Sequence, residues 1–201
     1  SGQYYLAGDV TLTTRPIIKG NLTLCLNGYE IKAPSGISVN GGTLTITDCQ
    51  DTGKLGGSSK ELIGVRVETS ASTLNLYGGT IADFAYGVKN IGTFNLYGGK
   101  LTGNIEGVHN ESSFTMRGGA TTKNNCGVGN YAAGTFTMYG GAVTANSGYC
   151  NGTGVYNEGT FIMHDGAITN NNAYRNTSKG YGGGVYNSGN FTMRSGSITG
   201  N

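Results

Sequence analysis

STLNLYGGTI (72–81), GTFNLYGGKL (92–101), SSFTMRGGAT (112–121), GTFTMYGGAV (134–143), GTFIMHDGAI (159–168) and GNFTMRSGSI (189–198) are six versions of one motif. Its anchor falls at Leu74, Phe94, Phe114, Phe136, Phe161 and Phe191, at intervals of 20, 20, 22, 25 and 30 residues. A second motif follows each of the first five: GVKN (87–90), GVHN (107–110), GVGN (127–130), GVYN (154–157) and GVYN (184–187). The unit is therefore about 20 residues, with insertions in the later copies. Within a copy, apolar and polar residues alternate, as in a strand with one buried face. A glycine pair then breaks the strand, a short segment follows (Lys100-Leu101-Thr102), and the GVxN stretch makes a third. Three short strands per unit cannot bury an apolar face alone, but stacked copies can, each strand pairing with its equivalent about 4.8 Å away. The fold class this predicts is all-β: a right-handed parallel β-helix solenoid, about 20 residues and three strands per coil.

Four inward columns follow from the alternation. One holds the anchors; the next holds Leu76, Leu96, Met116, Met138, Met163 and Met193. A third holds Ile81, Leu101, Val143, Ile168 and Ile198, with Thr121 as the exception, and a fourth holds Val88, Val108, Val128, Val155 and Val185. Like stacks on like, which packs a narrow core. Asn90, Asn110, Asn130, Asn157 and Asn187 fall at a corner, where asparagine tolerates the left-handed conformation and forms amide ladders. Residues 1–20 are read as an opening coil or cap, 21–71 as two longer, irregular coils, and 72–201 as regular repeats. The sequence stops at SITGN, mid-repeat, so the native polypeptide is expected to continue.

Composition excludes the competing classes. Glycine fills 38 of 201 positions without a three-residue period, which is not collagen. Net charge is only +2 and charged residues 12%, so neither a disordered polyelectrolyte nor a default nucleic-acid binder is indicated. No apolar run approaches the ~18 residues of a membrane-spanning helix.

YYLAGDVTLTT, NLTLCLNGYEI and GGTLTITDCQ near the start, with the (T/S)F(T/N)(M/L)xGG(A/T)(I/V) repeats, carry a family resemblance. The chain resembles the pectin-lyase-like right-handed β-helix repeats of large bacterial cell-surface proteins, particularly those of Gram-positive gut anaerobes. It is also faintly similar to the GGAI repeats of chlamydial autotransporters. The resemblance implies the fold and an adhesin-like setting, and leaves the activity open, because this fold hosts lyases, hydrolases, adhesins and ice binders alike.

Cys25 and Cys49, and Cys126 and Cys150, are each 24 residues apart, close to one coil. That offset puts both partners on neighbouring rungs, so disulfides Cys25–Cys49 and Cys126–Cys150 are expected, and with them an extracellular or cell-surface location. No signal-peptide pattern opens the sequence, so the chain is expected to begin after processing.

Insertions mark the candidate binding site. ANSGYCNGT (145–153) and NNNAYRNTSKGYGG (170–183) occupy the same point of the repeat and should emerge at one corner. They carry Tyr149, Tyr174, Arg175, Lys179 and Tyr181. Tyr156 and Tyr186 project nearby, in the column of Lys89, His109 and Gly129, with Tyr131 close. Tyrosines among amides and hydroxyls suit a sugar ring, so carbohydrate or a host surface glycoprotein is the expected partner. A second candidate is the outward column Tyr77, Tyr97, Arg117, Tyr139, His164 and Arg194. A glycosidase needs two facing carboxylates. Asp83, Glu106, Glu111, Glu158 and Asp165 occupy different repeat positions and are not expected to converge on one face. The expected function is thus a non-catalytic adhesion or glycan-binding scaffold, with a polysaccharide-degrading enzyme fragment and a purely structural stalk as alternatives. No metal, cofactor, nucleic acid or membrane insertion is expected, and a monomer is.

Overall fold

A computed structural model of the chain describes residues 2–57, 62–174 and 180–201. Among these, all regular structure is β, and three large parallel sheets of nine, nine and eight strands wrap one core. Sheet A contains the anchor strands, such as Thr93–Leu96 and Ser113–Met116. Sheet B contains the short segments after the glycine pair, such as Lys100–Thr102, and sheet C the GVxN strands, such as Glu106–Asn110 and Cys126–Asn130. The chain visits A, B and C in turn, and each circuit lies on the previous one: a parallel β-solenoid with three strands per coil.

The register is the one the repeat dictates. Leu74 pairs with Phe94, then Phe94 with Phe114, Phe136, Phe161 and Phe191 in succession. Adjacent phenyl rings stack at 4.9, 4.7, 4.6 and 4.8 Å, with interplanar angles of 7°, 7°, 5° and 13°. The file continues into the less regular early coils, where Leu44 and Ile46 sit under Leu74 and Leu76. Phe94 through Phe161 are fully buried, and each such side chain contributes about 1.5–3 kcal/mol of apolar burial.

Two asparagine ladders run inside the corners. Asn90, Asn110, Asn130, Asn157 and Asn187 pass Nδ2–H to the next Oδ1 at 2.7, 2.7, 2.7 and 2.5 Å. Asn104, Asn124, Asn146, Asn171 and Asn201 form a second at 3.1, 3.0, 2.9 and 2.8 Å. Contrary to the sequence expectation, the first ladder does not supply left-handed backbone, because its residues close extended strands. That conformation falls on Asp83, Gly103, Lys123, Ala145, Asn170 and Gly200, with φ between 54° and 68°, immediately before or near the second ladder. At the other corner Gly99 has φ 78°, and a Cβ there would lie 2.6 Å from the Gly79 carbonyl oxygen. This explains the invariant-looking second glycine within this chain's own repeats.

The Cys126–Cys150 disulfide is formed. Cys25 and Cys49 do meet, but as free thiols with sulfurs 3.0 Å apart, too long for the ~2.05 Å of a bond, so the expected second disulfide is corrected to a thiol contact. Cys25 lies opposite Thr47, and Cys49 reaches it only from an exposed position beyond the strand end. The contact acts oppositely on the partners: the hydrogen bond with Cys49 lowers the Cys25 pKa, and the hydrogen bond with Cys25 raises that of Cys49.

Candidate functional site

Both insertions leave the core between sheets B and C, and they stack rather than project independently. Ser147 pairs with Asn172 and Gly148 with Ala173 in a small sheet of their own. This places the Tyr149 ring over that of Tyr174 at 5.5 Å. The disulfide then ties Cys150 of the first insertion to the edge of sheet C at Cys126.

Beside that staple, the outer face of sheet C carries three columns. The first contains Tyr86, Glu106 and Cys126. The second contains Lys89, His109, Gly129, Tyr156 and Tyr186. The third follows the asparagine ladder and contains Glu111, Tyr131 and Glu158, whose backbone N–H groups bond equivalent carbonyls one rung down. Their rings form one continuous run. Tyr86 meets His109 edge-on at 5.0 Å, and His109 meets Tyr131 at 4.2 Å. Tyr131 is 5.8 Å from Tyr156, which stacks on Tyr186 at 5.6 Å and 10°.

Gly129 is the gap in this run. A Cβ there would lie 1.9 Å from Glu106 Oε1 and 2.7 Å from the Tyr131 ring. The missing side chain therefore lets Glu106 and Tyr131 lean in from neighbouring columns. The result is a groove of about 310 Å³ lined by Glu106, Gly129, Tyr131, Asn151, Tyr156 and the Cys126–Cys150 pair.

A chain of charges anchors the groove. Lys89 Nζ lies 3.1 Å from Glu111 Oε1, and His109 Nε2 lies 2.9 Å from the same oxygen. His109 Nδ1 lies 3.1 Å from Glu106 Oε2. Both imidazole nitrogens face carboxylates, which favours the doubly protonated ring. Burial pulls the His109 pKa down, but the hydrogen bond and charge of Glu106 and the hydrogen bond to Glu111 outweigh it, against Lys89, and the net shift is upward. Glu111 shows the reverse balance: burial raises its pKa, while Lys89 and His109 lower it further. The Tyr131 hydroxyl donates to Glu106 at 3.3 Å, and burial followed by that negative charge pushes its pKa up. The Tyr156 hydroxyl donates to Glu158, and chiefly through that bond its pKa is pushed up to about 12.

The residues singled out from sequence thus divide among three places. Tyr156 and Tyr186 join the sheet C run. Tyr149 and Tyr174 form a separate exposed pair on the corner ridge. Tyr181 bonds through its backbone, its N–H to Asn151 Oδ1 and its carbonyl to the Gly152 N–H. Arg175 and Lys179 lie outside the described residues. Tyr139 and His164 stack at 4.5 Å on sheet A, a different face, with Arg117 4.7 Å over the Tyr139 ring and Tyr77 stacked on Tyr97. The expectation that the acidic residues would not converge is corrected for three of the five and stands for Asp83, which pairs with Lys54, and Asp165, which accepts from the Gly166 N–H. Glu106, Glu111 and Glu158 share the outer face of sheet C, because Glu111 and Glu158 occupy the same repeat position and Glu106 sits on the adjoining column. Glu106 and Glu111 lie outside the binding residues expected from sequence; the signal for them is Gly129, the one small residue at the variable position of GVxN, next to His109 in its column. Among the described residues no group of three His, Cys, Asp or Glu is arranged to hold a metal. Comparison with protein-family models, with curated proteins and with solved structures finds no match to this chain.

Proposed function

We propose that this chain is a rigid, non-catalytic segment of an exported surface protein and that it binds carbohydrate along sheet C. The observation that carries the reading is the run of Tyr131, Tyr156 and Tyr186 beside a groove containing the 7%-exposed Glu106. Aromatic faces cover the C–H face of a pyranose, and carboxylate and amide groups meet its hydroxyls. The Cys126–Cys150 disulfide suits an oxidising compartment, which supports export. On a glycan array, the native chain should give hits that Tyr156→Ala with Tyr186→Ala reduces at least about tenfold, the loss of two stacking faces. The corner substitution Tyr174→Ala should leave binding unchanged. Undiminished binding by the double variant would remove the sheet C assignment, and an array without hits would favour a structural stalk.

One observation favours a second reading, cleavage of a bound glycan: Glu106 and the Tyr131 hydroxyl are hydrogen-bonded within the same groove. A reducing-sugar assay on every glycan that binds separates the two. Product that disappears in Glu106→Gln while binding persists would establish an enzyme.

A further inference from the structure

We propose that the groove on sheet C selects a sugar bearing a free, protonated amine: an amino sugar that is not N-acetylated. The inference rests on the carbohydrate reading above and names the ligand class of that same site.

The chemistry of the lining favours a donor-rich cation. Among the described lining residues, Glu106 is the charged one, and no lysine or arginine faces the groove. Its Oε2 is held by His109 Nδ1, whereas Oε1 has the Tyr131 hydroxyl at 3.3 Å and lies over the space that Gly129 leaves open. A carboxylate oxygen accepts more than one hydrogen bond, so Oε1 retains capacity on the groove side. The hydroxyl donors are already committed, Tyr131 to Glu106 and Tyr156 to Glu158. Asn151 Oδ1 accepts from the backbone N–H groups of Gly180 and Tyr181, which leaves the carboxylate of Glu106 as the principal acceptor in the groove. A uronic acid brings a carboxylate against the like charge of Glu106 and meets two tyrosine hydroxyls already donated elsewhere. An ammonium group finds a carboxylate and two tyrosine rings in the lining, the residue types that bind organic cations. The nearby cations are His109, shared between Glu106 Oε2 and Glu111 Oε1, and Lys89, held by Glu111, so Glu106, Glu111 and Glu158 still outnumber them by one charge.

Isothermal titration with four probes tests this: a β-1,4 glucosamine oligomer, the N-acetylated oligomer of equal length, the matching glucose oligomer, and tetramethylammonium. The expected result is that the glucosamine oligomer binds about tenfold or more tighter than the other two sugars. Glu106→Gln should bring it down to their level, and Tyr156→Ala, on a partly exposed side chain, should weaken it as well in a chain that melts like the native one. Equal binding of the three oligomers would overturn the amine preference and leave the carbohydrate reading intact. Binding of tetramethylammonium with no sugar bound would overturn the amino-sugar assignment together with the carbohydrate reading. So would the absence of any binding.

Discussion

Single residues show where the repeat is broken and what each break does. Thr121 interrupts an otherwise aliphatic file, between Leu101 and Val143, and its hydroxyl is buried without a hydrogen-bond partner. Thr121→Val keeps the shape and removes the stranded oxygen, so it should raise unfolding stability by about 1 kcal/mol in denaturant melts. A lower midpoint would mean that the hydroxyl is satisfied. His109 gives a second test. Its folded pKa is raised, so its contribution is complete below about pH 6.5 and is lost as pH rises through the folded value. That of Glu111 is lowered, so its contribution is complete above about pH 4.3 and is lost as pH falls through the folded value. The network should therefore contribute most between about pH 4.3 and 6.5, and His109→Gln should flatten the alkaline flank of the stability profile. Parallel profiles for native and variant would contradict the charge chain. Thr121 was visible in the sequence as an exception to its column. The role of His109 was not, because both carboxylates that face it come from other repeat positions.

At the scale of the element, ladders and staples set local strength. Asn130 donates to Asn157 Oδ1 and to the Gly134 and Thr160 carbonyls, and accepts from Asn110, all with no solvent exposure. Asn130→Ala strands these groups and should cost about 3 kcal/mol or more, against about 1 kcal/mol for the same change at exposed Asn187. Equal losses at the two positions would show that the ladder is incidental. The disulfide closes a separation of 24 residues onto the corner insertion. Reduction should therefore accelerate amide exchange in 145–153 while the Phe114 and Phe136 rungs stay protected; uniform acceleration would show that the staple supports the core. The first ladder was readable because it recurs inside GVxN. The second is hidden in the sequence because its flanks vary, as Gly103-Asn104, Lys123-Asn124, Ala145-Asn146, Asn170-Asn171 and Gly200-Asn201, so no motif marks the equivalent positions.

For the whole molecule, eight coils at about 4.8 Å make a rod about 40 Å long, in which each coil touches only its neighbours. The architecture is legible because like side chains stack on most rungs, so Phe94 over Phe114 follows from spacing alone. The groove was not legible in the same way. It joins Glu106, Gly129, Tyr131 and Tyr156 from three successive coils and three different columns, a diagonal that no single repeat position displays. The first insertion supplies Cys150 and Asn151 to the groove lining, whereas the exposed tyrosines Tyr149, Tyr174 and Tyr181 are not among the lining residues. Nuclear magnetic resonance mapping of a bound oligosaccharide tests this placement most directly. Backbone shifts confined to Gly129, Tyr131, Asn151, Tyr156 and Tyr186 are the predicted result; shifts centred on Tyr77, Tyr97 and Tyr139 of sheet A, or on the Tyr149–Tyr174 ridge, would contradict it.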